Sequence, residues 1–394
     1  MKRYEAYKPT SVEWYPAIPQ GWEWRYLFQI AHEQTIKKPV DEMYPVMTLS
    51  YGEIKRKKNT EAGLVPSNYD SYQMLYKGNI VLRLIDLQND HTSLRTGLVK
   101  ETGIITSAYT CIMPTENPAY IQYLLHSYDT KKVFYGYGGG VRQSLGFKDI
   151  RHLRVPVPPR AEQDQIVRYL DWQVSKINRL IAAKRKEIDA IHDMEHLYID
   201  HVFSEIANQK TIRLKYLVEQ FVDCPHETPE YCKDGDYCVI RTADQDYGYL
   251  RSETLMYRLT ESEYTNRIRR APLNAGDIVY GREGERWGLA CVIPESEKFC
   301  LGQRIMQFVC NKQMVTPEYV MWALNSSYVR NQGILDTMGS TSPHVNISTI
   351  INFRIPYTSR EHQHTLVSKI ECTMQKYRQL CERIENEIQL LHDL

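Results

Sequence analysis

Two stretches of the chain carry apolar residues at alternating spacings of three and four. The first uses Ile166, Leu170, Val174, Ile177, Ile181, Ile188, Ile191, Tyr198 and Val202, with Lys184 and Glu195 filling two positions of the same stripe. The second uses Leu366, Ile370, Met374, Tyr377, Cys381, Ile384, Ile388 and Leu391. Sustained heptads with charged flanks predict helices that meet in a coiled coil. The first would run near 40 residues, about 60 Å at 1.5 Å per residue. A stripe that long needs a partner, and the second stripe is the matching one within this chain. The competing expectation is that each helix packs only on its own globular segment. The second stripe stops at a position equivalent to residue 194 of the first, so Tyr198 and Val202 are expected to face something else.

The two stripes belong to a larger repeat. With a shift of 200 residues and no gap, IRHLRVPVPPRAEQDQIVRYL (150–170) aligns with IINFRIPYTSREHQHTLVSKI (350–370). Ile150/Ile350, Arg154/Arg354, Pro156/Pro356, Arg160/Arg360, Gln163/Gln363 and Val167/Val367 coincide. Upstream, GNIVLR (78–83) matches GDIVYG (276–281), and PAYIQYLLHS (118–127) matches PEYVMWALNS (317–326). Each half therefore has the order globular segment, proline-bearing hinge, helix. Two copies suggest a pseudo-two-fold molecule whose helices run antiparallel. The hinges VPVPPRAEQ and IPYTSREHQ are expected to break both helix and strand, with Ser359 as a helix N-cap.

The globular segments mix short β-rich runs (NIVLRLIDL, GIITSAYTCIMP, DIVYG, GLACVIP, MQFVC) with one clear helix each, around 118–131 and 317–329. The expected fold class is α+β: two globular domains joined by two long antiparallel coiled-coil helices. The boundaries drawn are 1–155, 156–208, 209–355 and 356–394.

Composition refines this. Hydrophobic residues at 42% and charged residues at 25% suit a globular protein with real cores. No apolar run is long enough to span a bilayer, and the N-terminus lacks a signal-peptide core, so a cytoplasmic location without membrane contact is expected. The net charge of +1 is not the basic balance usual for nucleic-acid binding. Local clusters remain, at Lys55–Lys58 and at Arg267, Arg269 and Arg270. Cys224, Cys232 and Cys238 lie near His226, but their spacing fits no zinc module, and no metal is expected. No phosphate-binding loop, HExxH, GxSxG or methyltransferase tetrapeptide occurs, and nothing assembles nucleophile, base and oxyanion donors. No catalytic residue is expected.

The order and wording of the segments resemble the specificity subunit of type I restriction-modification systems. The opening YKPTSVEWYPAIPQGWEWRYL, the segment VPVPPRAEQDQIVRYLDWQVSKIN and the stretches VDCPHETPEYCKDGDYCVIRTADQDYGYL and GDIVYGREGERWGLACVIPESEKFCLGQRIMQFV carry the likeness. The second hinge departs from it, lacking the double proline and having His362 where the first has Glu162. The resemblance implies two target-recognition domains, each reading half of a split, asymmetric double-stranded DNA site, with the helices as spacer. It implies methyltransferase subunits that carry S-adenosylmethionine, a motor-nuclease subunit, and no cofactor in this chain. Candidate base-reading residues lie in polar turns near glycine. In the first domain they are Arg83, Gln88, Asn89, Arg142, Gln143 and Ser144. In the second they are Arg241, Arg282, Glu283, Arg286, Gln303, Arg304, Ser340, Thr341 and His344. Trp287 is read as a core residue. The alternative function is a stand-alone nuclease, or a methyltransferase-associated enzyme, with fused recognition domains.

Overall fold

A computed structural model describes residues 4–39, 42–57, 69–87, 94–137, 144–294, 298–338 and 343–392. The chain divides into two compact units, Met1–Asn178 and Arg179–Leu394, and the division falls inside one continuous helix.

The first unit opens with an antiparallel hairpin, β1 (Tyr7–Val12) and β2 (Tyr15–Pro19), followed by β3 (Glu23–Tyr26). Then come β4 (Ala31–Glu33), the ribbon β5 (Met47–Ser50) and β6 (Glu53–Arg56), β7 (Gln73–Leu75), β8 (Ile80–Leu82), β9 (Thr96–Leu98), β10 (Gly103–Ile105) and β11 (Thr110–Pro114). The central sheet has the order β4-β11-β8-β9, and β7 pairs antiparallel with β10. Helix α1 (Pro118–Thr130) covers the sheet with Tyr120, Ile121, Leu124, Leu125 and Tyr128. Its start is set locally: the Asn117 side chain accepts from the N–H groups of Ala119 and Tyr120, and Pro118 occupies the first turn. β12 (Arg154–Val157) pairs with β3 and leads into α2 (Arg160–Ala207).

The second unit repeats this plan. β13 (Thr211–Arg213) is followed by β14 (Val218–Asp223), β15 (Tyr237–Ile240), the short pair β16 (Gln245–Asp246) and β17 (Tyr249–Leu250), and β18 (Tyr257–Leu259). Next come β19 (Ile278–Gly281), β20 (Ala290–Val292), β21 (Phe299–Leu301) and β22 (Ile305–Cys310). The order β14-β22-β19-β20 is that of the first unit. Helix α3 (Pro317–Asn325) is capped by Thr316, again with proline in the first turn. β23 (Arg354–Pro356) pairs with β13 before α4 (Arg360–His392). β15 pairs parallel with β21, and in the first unit Val46, just before β5, makes a parallel bridge to Ile104 of β10, which also pairs antiparallel with β7.

Two expectations need correction. The hinge prolines do not exclude strand: Pro156 stands opposite Trp24 and Pro356 opposite Thr211, each in a two-stranded ribbon. A ribbon strand is an edge, where a missing N–H can face away from the partner. The first helix is also longer than expected, at 48 residues or about 72 Å.

Both proposed uses of the stripes occur in the second unit. Ile191, Cys381 and Ile384 form a buried seam between α2 and α4, flanked by Ile188, Tyr377 and Ile388. Lys184 Nζ lies 3.0 Å from Glu387 Oε2, while the far end of the seam brings Ile199 and Phe203 into one cluster with Val367, Ile370 and Met374. The numbering rises on one helix as it falls on the other, so the pair is antiparallel. Beyond the seam the stripe turns onto the second domain's own core. Ile199 and Phe203 are fully buried there, and Tyr198 and Val202 pack at the margin.

Candidate nucleic-acid interface

Strand register decides which loops meet. In the second unit β14 and β19 both run antiparallel to β22, setting Asp223 opposite Met306 and Gly281 opposite Ile305. β15 and β21 run in parallel, with Ile240 beside Leu301, and only three residues link β21 to β22. The residues leaving β14, β15, β19 and β21 therefore emerge at one edge. Backbone bonds lock them: Gly302 N to Ile240 O (2.8 Å), Arg282 N to Arg304 O (3.2 Å) and Val345 N to Arg282 O (3.1 Å).

Arg282 is the centre of this edge. It is 5% exposed, with its Nη2 2.9 Å from Glu283 Oε1 and its Nε 3.3 Å from Asp223 Oδ1. The Nε contact is an ion pair without hydrogen-bond alignment. Nη1 lies 3.3 Å from His344 Nε2, and His344 Nδ1 lies 3.2 Å from Glu283 Oε1. His344 Nε2 can accept from Arg282 Nη1, while its Nδ1 side faces the Glu283 carboxylate. His226 Nε2 lies 3.0 Å from Asp223 Oδ2 and 3.4 Å from Arg282 Nη2. Each guanidinium nitrogen thus has a protein group beside it, and the guanidinium ties the Glu283 carboxylate and the His344 ring into one network. Gly284 makes the turn possible at φ +84°, where its N–H reaches Pro343 O.

The other candidates of this unit gather around that network. Arg241 forms a two-pronged bond to Asp244, with Nε–Oδ2 and Nη2–Oδ1 both 2.8 Å, and lies 3.8 Å from the Tyr257 ring centre. The Asp244 carboxylate raises the Arg241 pKa further above its ordinary value. Arg286 Nη2 donates to Gln245 O at 2.6 Å. Gln303 Oε1 accepts from the Thr228 hydroxyl at 2.8 Å, and Arg304 is exposed beside the Gly284 turn. Trp287 is buried, as expected.

In the first unit the same edge is built by Glu33 opposite Ile112 and Leu82 opposite Thr110. Leu145 N bonds Leu84 O at 2.7 Å, as Val345 bonds Arg282. Arg83 is half-buried there and Ser144 exposed. A groove at this edge is lined by Gln34, Lys37, Ser71, Ser107 and Gly146. Gln88, Asn89, Arg142, Gln143, Ser340 and Thr341 lie outside the described residues.

Several groups at these edges were not singled out by motif. Arg95 is fully buried, and its guanidinium donates to the carbonyls of Arg83, Ile85 and Asp86, fixing the loop after β8. Asp223 and His226 reach Arg282 only through the fold. Of the basic cluster, Arg267 is buried and donates to Leu301 O, whereas Arg269 and Arg270 are exposed at the groove beside His226. Asp223, Cys224 and His226 also bring ligand-type atoms together. The set suits a metal poorly: burial and the Asp223 charge push the Cys224 thiol up to about 11, and Arg282 already occupies Asp223. Among the described residues no helix is long and apolar enough to cross a membrane.

Residues 44–190 and 223–390 match the family described as the type I restriction modification DNA specificity domain. The chain belongs to this family. The specificity domain occurs twice, once in each part of the internal repeat. The chain is similar to the type I restriction enzyme MjaVIII specificity subunit of Methanocaldococcus jannaschii, with 22% identity over 57% of this chain and 56% of that one. It thus spans little more than half the length of that relative. It is also similar to the putative type I restriction enzyme MjaX specificity subunit of the same organism, with 21% identity over 93% of this chain and 89% of that one. Among solved structures, the fold resembles a chain from work on complex assembly and conformational transition of the type I R-M system. The TM-score is 0.61 at 14% identity, with 95% of each chain covered.

Proposed function

We propose that this specificity-domain chain recognises double-stranded DNA for a type I restriction-modification complex, reading a bipartite, asymmetric site. Segments 1–155 and 209–355 each take one half-site, and segments 156–208 and 356–394 form the spacer. The chain itself holds no cofactor. It docks methyltransferase subunits that bind S-adenosylmethionine, and a motor-nuclease subunit joins for restriction in the cytoplasm.

One observation carries this reading: the two units present loops from the same edge of identically ordered sheets, while the side chains on those edges differ. A shared frame with different polar groups suits two half-sites of different sequence. Arginine suits guanine or phosphate, and glutamate can accept from the cytosine amino group. Glu283, His344, Gln303 and Arg304 are the surface groups assigned to the second half-site, with Arg241 and Arg286 beside them. Arg83, Gln88, Asn89, Arg142, Gln143 and Ser144 are assigned to the first, and Ser340 and Thr341 to the second. Arg282 is assigned to positioning Glu283 and His344.

The test is expression with a methyltransferase subunit in a host free of restriction, followed by sequencing of modified bases. A two-part motif with a fixed spacer is expected, with binding in vitro that weakens as salt rises. Cleavage or methylation of DNA by the purified chain alone, or modification without a two-part motif, would reject the proposal.

A further inference from the structure

A glutamine sits near the start of each long helix, and both are fully buried. Gln163 Oε1 accepts the N–H of Asn117, the cap of α1, at 3.0 Å. Its Nε2 donates to Pro158 O at 2.9 Å and to Glu116 Oε2 at 2.9 Å. Gln363 Oε1 accepts the N–H of Thr316, the cap of α3, at 3.1 Å. Its Nε2 donates to Thr358 O at 2.9 Å and to Met314 O at 3.2 Å. A tyrosine completes each joint: Tyr120 Oη donates to Pro156 O (2.8 Å) and Tyr319 Oη to Pro356 O (3.1 Å).

Each amide therefore bonds three segments at once: its own helix start, the hinge, and the cap of the helix that carries the domain core. A buried amide with all these partners cannot rotate or slide without leaving buried polar groups unpaired. The bonds to the cap N–H, to the hinge carbonyl and from the tyrosine recur in both joints, while the remaining amide proton goes to the Glu116 carboxylate in one and to Met314 O in the other. The neighbouring Glu162 and His362 are unlike in the two copies: Glu162 is half-buried and accepts from Trp22 Nε1 at 3.1 Å, whereas His362 is exposed.

We infer that Gln163 and Gln363 are positioning residues that fix the angle of each recognition domain on its spacer helix, and so select the number of base pairs between the half-sites. The inference rests on the proposed reading of a bipartite site. One base pair more or less moves a half-site by about 3.4 Å and turns it by about 35°. Only a joint stiffer than that can reject the neighbouring spacers.

The experiment uses the full chain with its methyltransferase subunit. Gln163→Met and Gln363→Met keep the volume and remove every polar bond. Gln163→Glu keeps the acceptor for Asn117 N–H and loses the donor. Modified sites are sequenced for the unaltered chain and each variant, and folding is followed by circular dichroism. Both half-site sequences should persist, while modification at spacers one base pair shorter or longer rises at least tenfold relative to the parental spacer. The Glu variant should fall between the parent and the Met variant. An unchanged spacer with modification intact would overturn the inference. So would uniform loss at every spacer in a folded chain, or failure of all three variants to fold, which would make the glutamines merely structural. Absence of a two-part motif with the unaltered chain would instead count against the functional reading itself.

Discussion

Helices α1 and α3 occupy the same place in their units, yet different elements cover them. In the second unit the end of α2 does so: Phe203 meets Tyr319 at 5.4 Å, and Asp200 Oδ1 accepts the Ser327 N–H at 2.6 Å. In the first unit the β1–β2 hairpin does so: the Trp14 ring lies 6.0 Å from Tyr128, and Tyr15 Oη lies 3.4 Å from Ser127 Oγ. Lys131 Nζ adds a contact 4.5 Å over the Tyr15 ring. A half-buried aromatic ribbon in one copy replaces a fully buried helical ridge in the other. The joint glutamines and tyrosines remain identical beneath them. Covering elements can be exchanged when they supply apolar area, whereas a joint made of directed hydrogen bonds cannot.

The largest test of this contrast is at the covers. Phe203→Ala should destabilise the second unit by about 3–5 kcal/mol. Trp14→Ala, at a half-exposed site, should cost the first unit about 1–2 kcal/mol. Urea unfolding of the two variants measures both, and equal losses would erase the distinction. Next is Arg282→Leu, which gives the second unit the residue type of Leu84. Asp223 and Glu283 lose their common cation, so a loss of about 2–3 kcal/mol is expected, short of a fully buried pair because both carboxylates are partly solvated. Selectivity for the second half-site should fall as Glu283 and His344 loosen, while the first half-site is read as before. Loss at both half-sites in a modified-base profile would contradict this.

The joints should behave alike. Tyr120→Phe and Tyr319→Phe each remove one bond to a proline carbonyl, for about 1 kcal/mol apiece. A difference larger than the measurement error between them would show that the duplicated bond is not equivalent in the two copies. The smallest stability effect belongs to Arg304→Ala, an exposed side chain whose loss should leave the unfolding midpoint unchanged. If Arg304 reads a base, selection from a DNA library will show relaxed preference at one position. A uniform loss across sequences would make it a phosphate contact.

Much of the frame was legible in the sequence because it is written in local periods. The α2–α4 seam follows the heptad through Ile191, Cys381 and Ile384, and the caps of α1 and α3 follow Asn-Pro and Thr-Pro. The stripe shifted phase past Glu195, from Val202 as expected to Ile199 and Phe203 as buried, because the partner surface there is a domain core and no longer a helix. The strand character of Pro156 and Pro356 was missed because it depends on a distant edge partner. The site was legible in part. Polar turns near Gly284 pointed to Glu283, Arg304 and His344, but exposure cannot be read from a turn, and Arg282 proved buried. Asp223, His226 and Arg95 had no local signal. Register alone brings Asp223 to Arg282, and the parallel pairing of β15 with β21 joins segments far apart in the chain.

The seam also has a consequence in time. Roughly 190 residues separate Ile191 from its partner Ile384, so at about 5–20 residues per second a ribosome needs on the order of 10–40 s to supply the second side. During that interval the later half of α2 carries an uncovered apolar stripe on the nascent chain. Slowing translation after residue 207 should therefore raise aggregation and chaperone demand, even though the finished protein is unchanged.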